Sequence, residues 1–231
     1  SQTHIGYRIW QQPLVQKIPE VRYISADSVQ KQEAASLPDV MRAKVPENIN
    51  GNVFYQDEER GVSIEANHFT KLISTNGISW KVLPDHGRTG SAITPYPLKS
   101  KQQQPGGNAP HIAYDFYTYG QGEFTVQAYF SPTLNFHGLD NGMQYAISVD
   151  DETPQIIGMN KDDKITNNSI WNKWVAENII IKSSKHFILE PGKHTLKYWM
   201  VSPAVVLQKL VIDFGTNKQS YFGPPETMYK K

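Results

Sequence analysis

The chain has 231 residues, enough for one large all-β domain, or for a domain of ordinary size with a long extension. Its 23 basic and 22 acidic side chains nearly cancel, so we expect neither nucleic acid nor an anionic membrane surface as a partner. The absence of cysteine excludes disulfides, zinc–thiolate sites and thiol nucleophiles, and no apolar run reaches the roughly 18 residues of a membrane-spanning helix.

The first 50 residues have the character of a connector. Residues 3–13, THIGYRIWQQP, are aromatic and irregular, and residues 25–43 are polar. Residues 28–35 fit a short helix or a loop equally well, and Pro38 stops any helix begun there. We therefore expect an irregular N-terminal extension over residues 1–50 and the main domain over residues 51–231.

From Val53 onward the hydrophobic period is two, which is typical of half-buried strands. Residues 112–119 and 124–130 both alternate in this way, with the turn Gly120-Gln121-Gly122 between them. The pair is predicted to be a β-hairpin whose second strand buries Phe124, Val126, Ala128 and Phe130.

Two further turns precede alternating segments. Asn141-Gly142 is a strong hairpin signal and launches a face made of Met143, Tyr145, Ile147 and Val149. Pro191-Gly192 suits a type II turn before the alternating residues 194–201.

Roughly ten short strand candidates follow one another along the chain, which predicts an all-β fold, a β-sandwich or jelly roll. Residues 99–110, KSKQQQPGGNAP, are predicted to be a polar loop. Residues 171–178 fit a helix or a loop running into a strand equally well.

A set of three oxygen-bearing side chains suggests a cation site. Glu65 and Asn67 lie two apart on a predicted strand and therefore share a face. If the predicted strands at residues 61–69 and 205–215 are neighbours, Asp213 lies beside Glu65 and Asn67. The three side chains and backbone carbonyls then form the oxygen cage that calcium prefers. The alternative is that Glu65 is a solvated strand residue and Asp213 accepts local hydrogen bonds.

Carbohydrate contact uses flat aromatic rings with polar side chains at the rim, although most aromatic residues of a sheet protein belong to its core. Trp80 and Tyr96 flank the Gly-rich loop DHGRTGSA, which contains Arg88, and loops concentrate binding residues. These three residues rank highest as sugar contacts. The other aromatic candidates are Tyr117, Tyr129, Trp171, Trp174 and Trp199.

No residue is predicted to be catalytic. The acidic clusters Asp150-Asp151-Glu152 and Asp162-Asp163 lie in polar, turn-like contexts, which favours solvated loops over the paired carboxylates of a glycosidase. No GxSxG, P-loop or HExxH pattern is present, so nucleophilic, nucleotide and zinc-hydrolase chemistry have no support.

Several long stretches, in the same order along the chain, resemble the C-terminal region of glycoside hydrolase family 115, whose members are xylan α-1,2-glucuronidases. They are THIGYRIWQQP, GVSIEANHFTK, GRTGSAITPYP, YDFYTYGQGEFTVQAYFSPTLNF, YAISVDDETPQ, PGKHTLKYWMVSPAVVLQKLVIDFG and SYFGPPE. The sandwich portion is more distantly similar to family 6 and family 35 carbohydrate-binding modules, in which a Glu-Ala-Glu strand and a late Asp hold a structural calcium. Glu65 and Asp213 match that pattern, and Asn67 replaces the second Glu.

The resemblance implies that the chain is a noncatalytic part of a larger, inverting α-glucuronidase acting on glucuronoxylan. Catalytic residues in that family precede this region, so none is carried over. The implied partners are glucuronoxylan or a related plant polysaccharide and the preceding catalytic and helical domains, and the implied location is periplasmic or secreted. Three functions stay open: polysaccharide binding, a structural or homodimerisation role, and an autonomous glycosidase.

Overall fold

The computed structural model describes residues 52–57, 61–161, 169–215, 220–227 and 229–230. The expectations for residues 1–50 and for Asp162-Asp163 lie outside these ranges. Within them, no helix has the length and apolar character needed to cross a bilayer.

The described residues form short strands and one helix. In chain order they are β1 (Val53–Tyr55), β2 (Val62–Glu65), β3 (Lys71–Ile73), β4 (Ser79–Leu83), β5 (Ala92–Tyr96), β6 (His111–Thr118), β7 (Gly122–Phe130), β8 (Gln144–Val149), β9 (Gln155–Gly158), α1 (Ser169–Glu177), β10 (Ile180–Ile188), β11 (Gly192–Met200), β12 (Leu207–Asp213) and β13 (Tyr229–Lys230).

The strands build two sheets. The seven-stranded sheet has the order β13-β1-β6-β11-β8-β9, with β3 also paired to β6, and the six-stranded sheet has the order β10-β7-β12-β5-β4, with β2 also paired to β12. The inward faces of both sheets contribute to one large hydrophobic core. The predicted all-β sandwich is confirmed.

The predicted hairpin between residues 112–119 and 124–130 is wrong, although both strands exist. β6 pairs with β1, β3 and β11, whereas β7 pairs with β10 and β12, so the link at residues 119–121 crosses from one sheet to the other. The buried face of the second strand was predicted correctly, because Phe124, Val126, Ala128 and Phe130 are all buried. Alternation identifies the inward face of a strand and does not say which sheet contains it.

At the two other predicted turns, too, the strands on either side do not pair with each other. Gly142 has φ of +68°, and the strand after it buries the predicted face of Met143, Tyr145, Ile147 and Val149. β8 nevertheless pairs with β9 and β11 and not with the preceding strand β7. The predicted turn at Pro191-Gly192 overlaps the link at residues 189–191, which also connects strands of different sheets, β10 and β11. Of the two alternatives for residues 171–178, the helix is confirmed, because α1 extends through Glu177, and β10 begins three residues later.

Two buried tyrosines from the core offer a matched stability test. The Tyr114 hydroxyl donates a hydrogen bond of 2.7 Å to the carbonyl of Ala66, whereas the buried Tyr145 hydroxyl has no hydrogen-bond partner among the described residues. Burial raises the pKa of both phenols, so both stay neutral at ordinary pH. The two side chains therefore share burial and protonation state and differ in whether the hydroxyl is paired.

We expect Tyr114→Phe to lower the free energy of unfolding by about 1–3 kcal/mol, because the Ala66 carbonyl loses its donor. Tyr145→Phe should leave that free energy unchanged or raise it by about 1 kcal/mol, because it removes an unpaired buried hydroxyl. Urea unfolding of the two variants beside the wild type measures both values. An equal loss in the two variants would contradict the assignment.

Candidate functional site

A polar cleft of about 460 Å³ opens beside the end of β2. The loop at residues 84–91 forms one wall, and residues 220–227, which we call the strap, form another. Glu65, His68, Lys209 and Glu226 bring charged or titratable groups to its lining. The cleft therefore combines hydrogen-bond acceptors and donors, as a site for a polar ligand requires.

The strap is fixed along the edge of β2 that faces away from β12. The backbone amide of Thr227 donates to the Ser63 carbonyl at 3.0 Å, and the Ser63 hydroxyl donates to the Pro224 carbonyl at 3.0 Å. The backbone amide of Glu65 donates to Glu226 Oε1 at 2.9 Å. β2 therefore has hydrogen-bond partners on both sides, β12 and the strap.

Glu65 and Lys209 form a buried ion pair at the base of the cleft. They are directly opposite in the β2–β12 register, and Lys209 Nζ lies 3.1 Å from Glu65 Oε1. The Thr89 hydroxyl donates to the same carboxylate oxygen at 2.6 Å. Gly90 allows the loop to lie this close, since a Cβ at its position would be 2.9 Å from Glu65 Oε2.

A second acid–base pair lies nearer to solvent. His68 Nδ1 lies 2.8 Å and 2.9 Å from the two carboxylate oxygens of Glu226. Both side chains are only partly buried, so this pair meets a ligand in the cleft more readily than Glu65 and Lys209 do. Because Glu226 also accepts from the Glu65 amide, the pair anchors the strap to β2.

The structure separates the three side chains of the predicted cation site. Glu65 and Asn67 both line the cleft, but β2 ends at Glu65 and Asn67 lies in the turn that follows, so the two residues do not share a strand as predicted. The strands that contain Glu65 and Asp213, β2 and β12, are neighbours as expected. Their antiparallel register, however, places Lys209 and not Asp213 opposite Glu65. Asp213 lies four residues beyond Lys209, about 13 Å along β12, and accepts a hydrogen bond from the Gly215 amide. Among the described residues, no group of three or more His, Asp or Glu side chains could hold a metal ion.

The two aromatic residues ranked highest as sugar contacts lie on opposite faces of one hairpin. In the β4–β5 register Trp80 pairs with Pro95 and Ser79 pairs with Tyr96, so Trp80 and Tyr96 point in opposite directions. Trp80 packs on the hydrophobic core and donates its indole N–H to the Ile73 carbonyl at 3.0 Å. Tyr96 is 40% exposed, and Lys81 Nζ lies 3.6 Å from its ring centroid. The two rings therefore do not form a common platform.

Arg88 and Tyr129 have well-defined partners within the fold. The Arg88 guanidinium donates to the carbonyls of Tyr221 and Glu177 and stacks on the Tyr221 ring, so it joins the loop, the strap and the end of α1. Tyr129 is buried in a cluster with Ile179 and Val211. Gly223 of the strap lies against its ring. Both positions favour a structural role, and their contact with sugar stays a prediction.

The strap carries two exposed aromatic residues that were not among the predicted sugar contacts. Tyr221 and Phe222 lie on the strap, are 56% and 58% exposed, and have their ring centroids 5.1 Å apart. Their segment lacks the alternation that identifies strands, so no pattern predicted their exposure. Lys209 did leave a signal, because it is the only charged residue inside the apolar stretch VVLQKLVI. A lone charge in a buried strand requires a partner of opposite sign.

One acidic residue of the predicted solvated turn is also part of a buried network. Asp150 and Asp151 are exposed as expected, whereas Glu152 Oε2 lies 2.6 Å from His186 Nδ1. His186 Nε2 in turn lies 2.7 Å from the Ser184 hydroxyl. This order of groups is that of a catalytic triad, but Ser184 and His186 are buried on the inward face of β10. Their burial favours a structural role in joining the two sheets.

Comparison with known proteins agrees with the sandwich architecture. A family GH115 4-O-methyl-α-glucuronidase with specificity for decorated arabinogalactans matches 68% of this chain at 14% identity with a TM-score of 0.51. This chain covers 18% of that protein, so it corresponds to a small part of it.

Two carbohydrate-binding modules are similar at lower scores. A family 35 module from Clostridium thermocellum matches 65% of this chain and 97% of its own length, at 14% identity and a TM-score of 0.42. The C-terminal family 6 module of a laminarinase from Zobellia galactanivorans matches 66% of this chain and 98% of its own length, at 10% identity and a TM-score of 0.38. No curated protein sequence matches the chain.

The sequence itself matches a family model. The model of the glycosyl hydrolase family 115 C-terminal domain matches residues 54–226, which is most of the described sandwich. This match confirms the resemblance read from the sequence. The chain belongs to the family of glycosyl hydrolase family 115 C-terminal domains.

Proposed function

We propose that this chain is a noncatalytic accessory domain of a xylan α-1,2-glucuronidase, and that it contributes to glucuronoxylan binding or to access to the catalytic domains. The preceding catalytic and helical domains of the parent enzyme are its partners, and a periplasmic or secreted location follows from polysaccharide degradation. The family match supports the link to a glycoside hydrolase. The local geometry supports the binding role.

The observation that carries this proposal is the pairing of exposed aromatic rings with a polar cleft. Tyr221 and Phe222 belong to the strap, and the same strap supplies Glu226 to the cleft. Sugar rings stack their apolar faces on such aromatic side chains, while carboxylate and imidazole groups bond to their hydroxyls. The Arg88 guanidinium stacks on one face of the Tyr221 ring and so holds the ring in place. A sugar that binds this ring therefore loses less affinity to the ordering of the side chain.

Affinity electrophoresis with glucuronoxylan in the gel tests this function. We expect the polysaccharide to retard the wild-type chain and Phe222→Ala to lower its affinity about tenfold, because an aromatic anchor is worth more than about 1 kcal/mol. Phe187→Ala is the matched control, since Phe187 is 57% exposed but lies on β10 and not on the strap. Tyr96→Ala tests the exposed aromatic residue that the sequence predicted. Wild-type mobility that glucuronoxylan leaves unchanged would remove the binding function.

A second candidate function is dimerisation, and the surface of β10 favours it. β10 lies at the edge of the six-stranded sheet and has Ile181 and Phe187 exposed along it, with Leu189 just beyond its end. Edge strands with exposed apolar side chains are common sites of association. Light scattering discriminates between the two functions, because a monomeric chain and a monomeric parent enzyme would exclude the dimer.

A further inference from the structure

We infer that the ammonium group of Lys209 supplies the positive charge at the oxygen-lined position beside Glu65 where calcium was predicted. The sandwich therefore needs no bound cation to hold β2, the loop at residues 84–91 and the strap together. This inference concerns the source of the charge and does not depend on whether the cleft binds polysaccharide.

The contacts of Lys209 Nζ match what an ammonium group requires. Glu65 Oε1 lies 3.1 Å away, the Pro224 carbonyl 3.0 Å and the Phe222 carbonyl 3.4 Å. An ammonium group has three N–H donors and no acceptor, so three oxygen partners use its full capacity. Lys209 is 2% exposed, and these contacts offset the cost of its burial.

The same oxygen set does not suit calcium. Calcium takes six to eight oxygen ligands, whereas three oxygens of the described residues, those of Glu65, Pro224 and Phe222, bond to this position, and all three already bond to Lys209 Nζ. An ammonium group already at the centre would also repel a divalent cation. Asp213, the third predicted ligand, lies at the other end of the β2–β12 pair. The donor set predicted from the sequence therefore does not fit calcium here.

The charges around Lys209 balance locally. Its own strand contributes no acid nearer than Asp213, β2 contributes Glu65, and the strap contributes Glu226, which pairs with His68. Lys209 thus supplies a positive charge that bonds to oxygens of β2 and of the strap, as a bound metal ion does where it joins separate loops. Unlike a metal ion, it cannot dissociate or be removed by a chelator.

Thermal unfolding of the purified chain in 1 mM CaCl₂ and in 1 mM EDTA tests this inference. We expect the two midpoints to agree within about 1 °C, and calorimetric titration with CaCl₂ to give no binding isotherm. A calcium site with a dissociation constant one hundredth of the calcium concentration would raise the midpoint by roughly 5–10 °C. A shift of that size, or a saturable isotherm, would overturn the inference.

Two variants distinguish Lys209 from calcium as the positive charge that stabilises the Glu65 carboxylate. Glu65→Gln should lower the unfolding midpoint by the same amount in CaCl₂ and in EDTA, because its partner is covalently part of the chain. A loss that appears only in CaCl₂ would assign the partner role to calcium. Asp213→Asn is the control for the sequence-derived ligand set, and its midpoint should likewise be the same in both solutions.

Discussion

Replacing Lys209 with Met should lower the free energy of unfolding by about 3–5 kcal/mol, because it leaves the Glu65 carboxylate buried without its counter-charge. Met has a similar length and fills the same space, so loss of packing contributes little. Two strap carbonyls, those of Phe222 and Pro224, lose a donor in the same step. Urea unfolding followed by fluorescence measures the loss.

A matched substitution on the surface isolates the effect of burial. Lys185 forms an ion pair of 2.8 Å with Glu123, and both side chains are largely exposed. Lys185→Met should therefore leave the urea midpoint nearly unchanged. Adding Glu65→Gln to Lys209→Met should recover part of the lost stability, because the double variant buries no unpaired charge. Equal losses for Lys209→Met and Lys185→Met would refute the role assigned to the buried pair.

Replacing Gly61 with Ala should be at least as damaging, with an expected loss of more than about 4 kcal/mol or a failure to fold. Gly61 has φ of +73°, and a Cβ at this position would lie 2.0 Å from the Ile212 carbonyl oxygen. No rotation of a side chain relieves this clash, since the oxygen belongs to the backbone of β12. The start of β2 would have to move away from β12.

Gly77 provides a control with the same backbone conformation. Its φ is also +73°, but a Cβ there would meet nothing within 4 Å. Gly77→Ala should therefore show the conformational cost alone, about 1–2 kcal/mol. The difference between the two urea midpoints measures the steric term at Gly61. If the two variants were equally stable, the close approach of β2 and β12 at this point would be wrong.

The sequence predicted the buried faces of β7 and β8 but left that of β6 open near its end, where aromatic residues lie on both faces. Alternation identified the two faces because burial on one side of a strand leaves a period of two. It could not assign strands to sheets, because the links at residues 119–121 and 189–191 look like hairpin turns whether they join neighbours or cross between layers. Strand pairing depends on contacts between residues far apart in the chain, which leave no local pattern.

The site was predicted less completely than the fold. Glu65 and Asn67 both line the cleft, but the prediction that they share a strand face is wrong, because β2 ends at Glu65 and Asn67 lies in the turn that follows. Asp213 was misplaced because its distance from Glu65 depends on the register between two strands, and a shift of four residues moves a side chain about 13 Å. The strap residues Tyr221, Phe222 and Glu226 had no periodic signal, since their positions follow from tertiary contacts with β2 and Arg88.

The path of the C-terminal segment determines where this domain can be truncated. The strap bonds to β2 in one sheet, and β13 pairs with β1 in the other, so the C-terminal segment joins the two sheets along one side. A recombinant fragment that stopped at β12 would remove the Phe222 and Pro224 carbonyls from Lys209 and Gly223 from the face of Tyr129. A boundary for expressing this domain should therefore lie beyond residue 230.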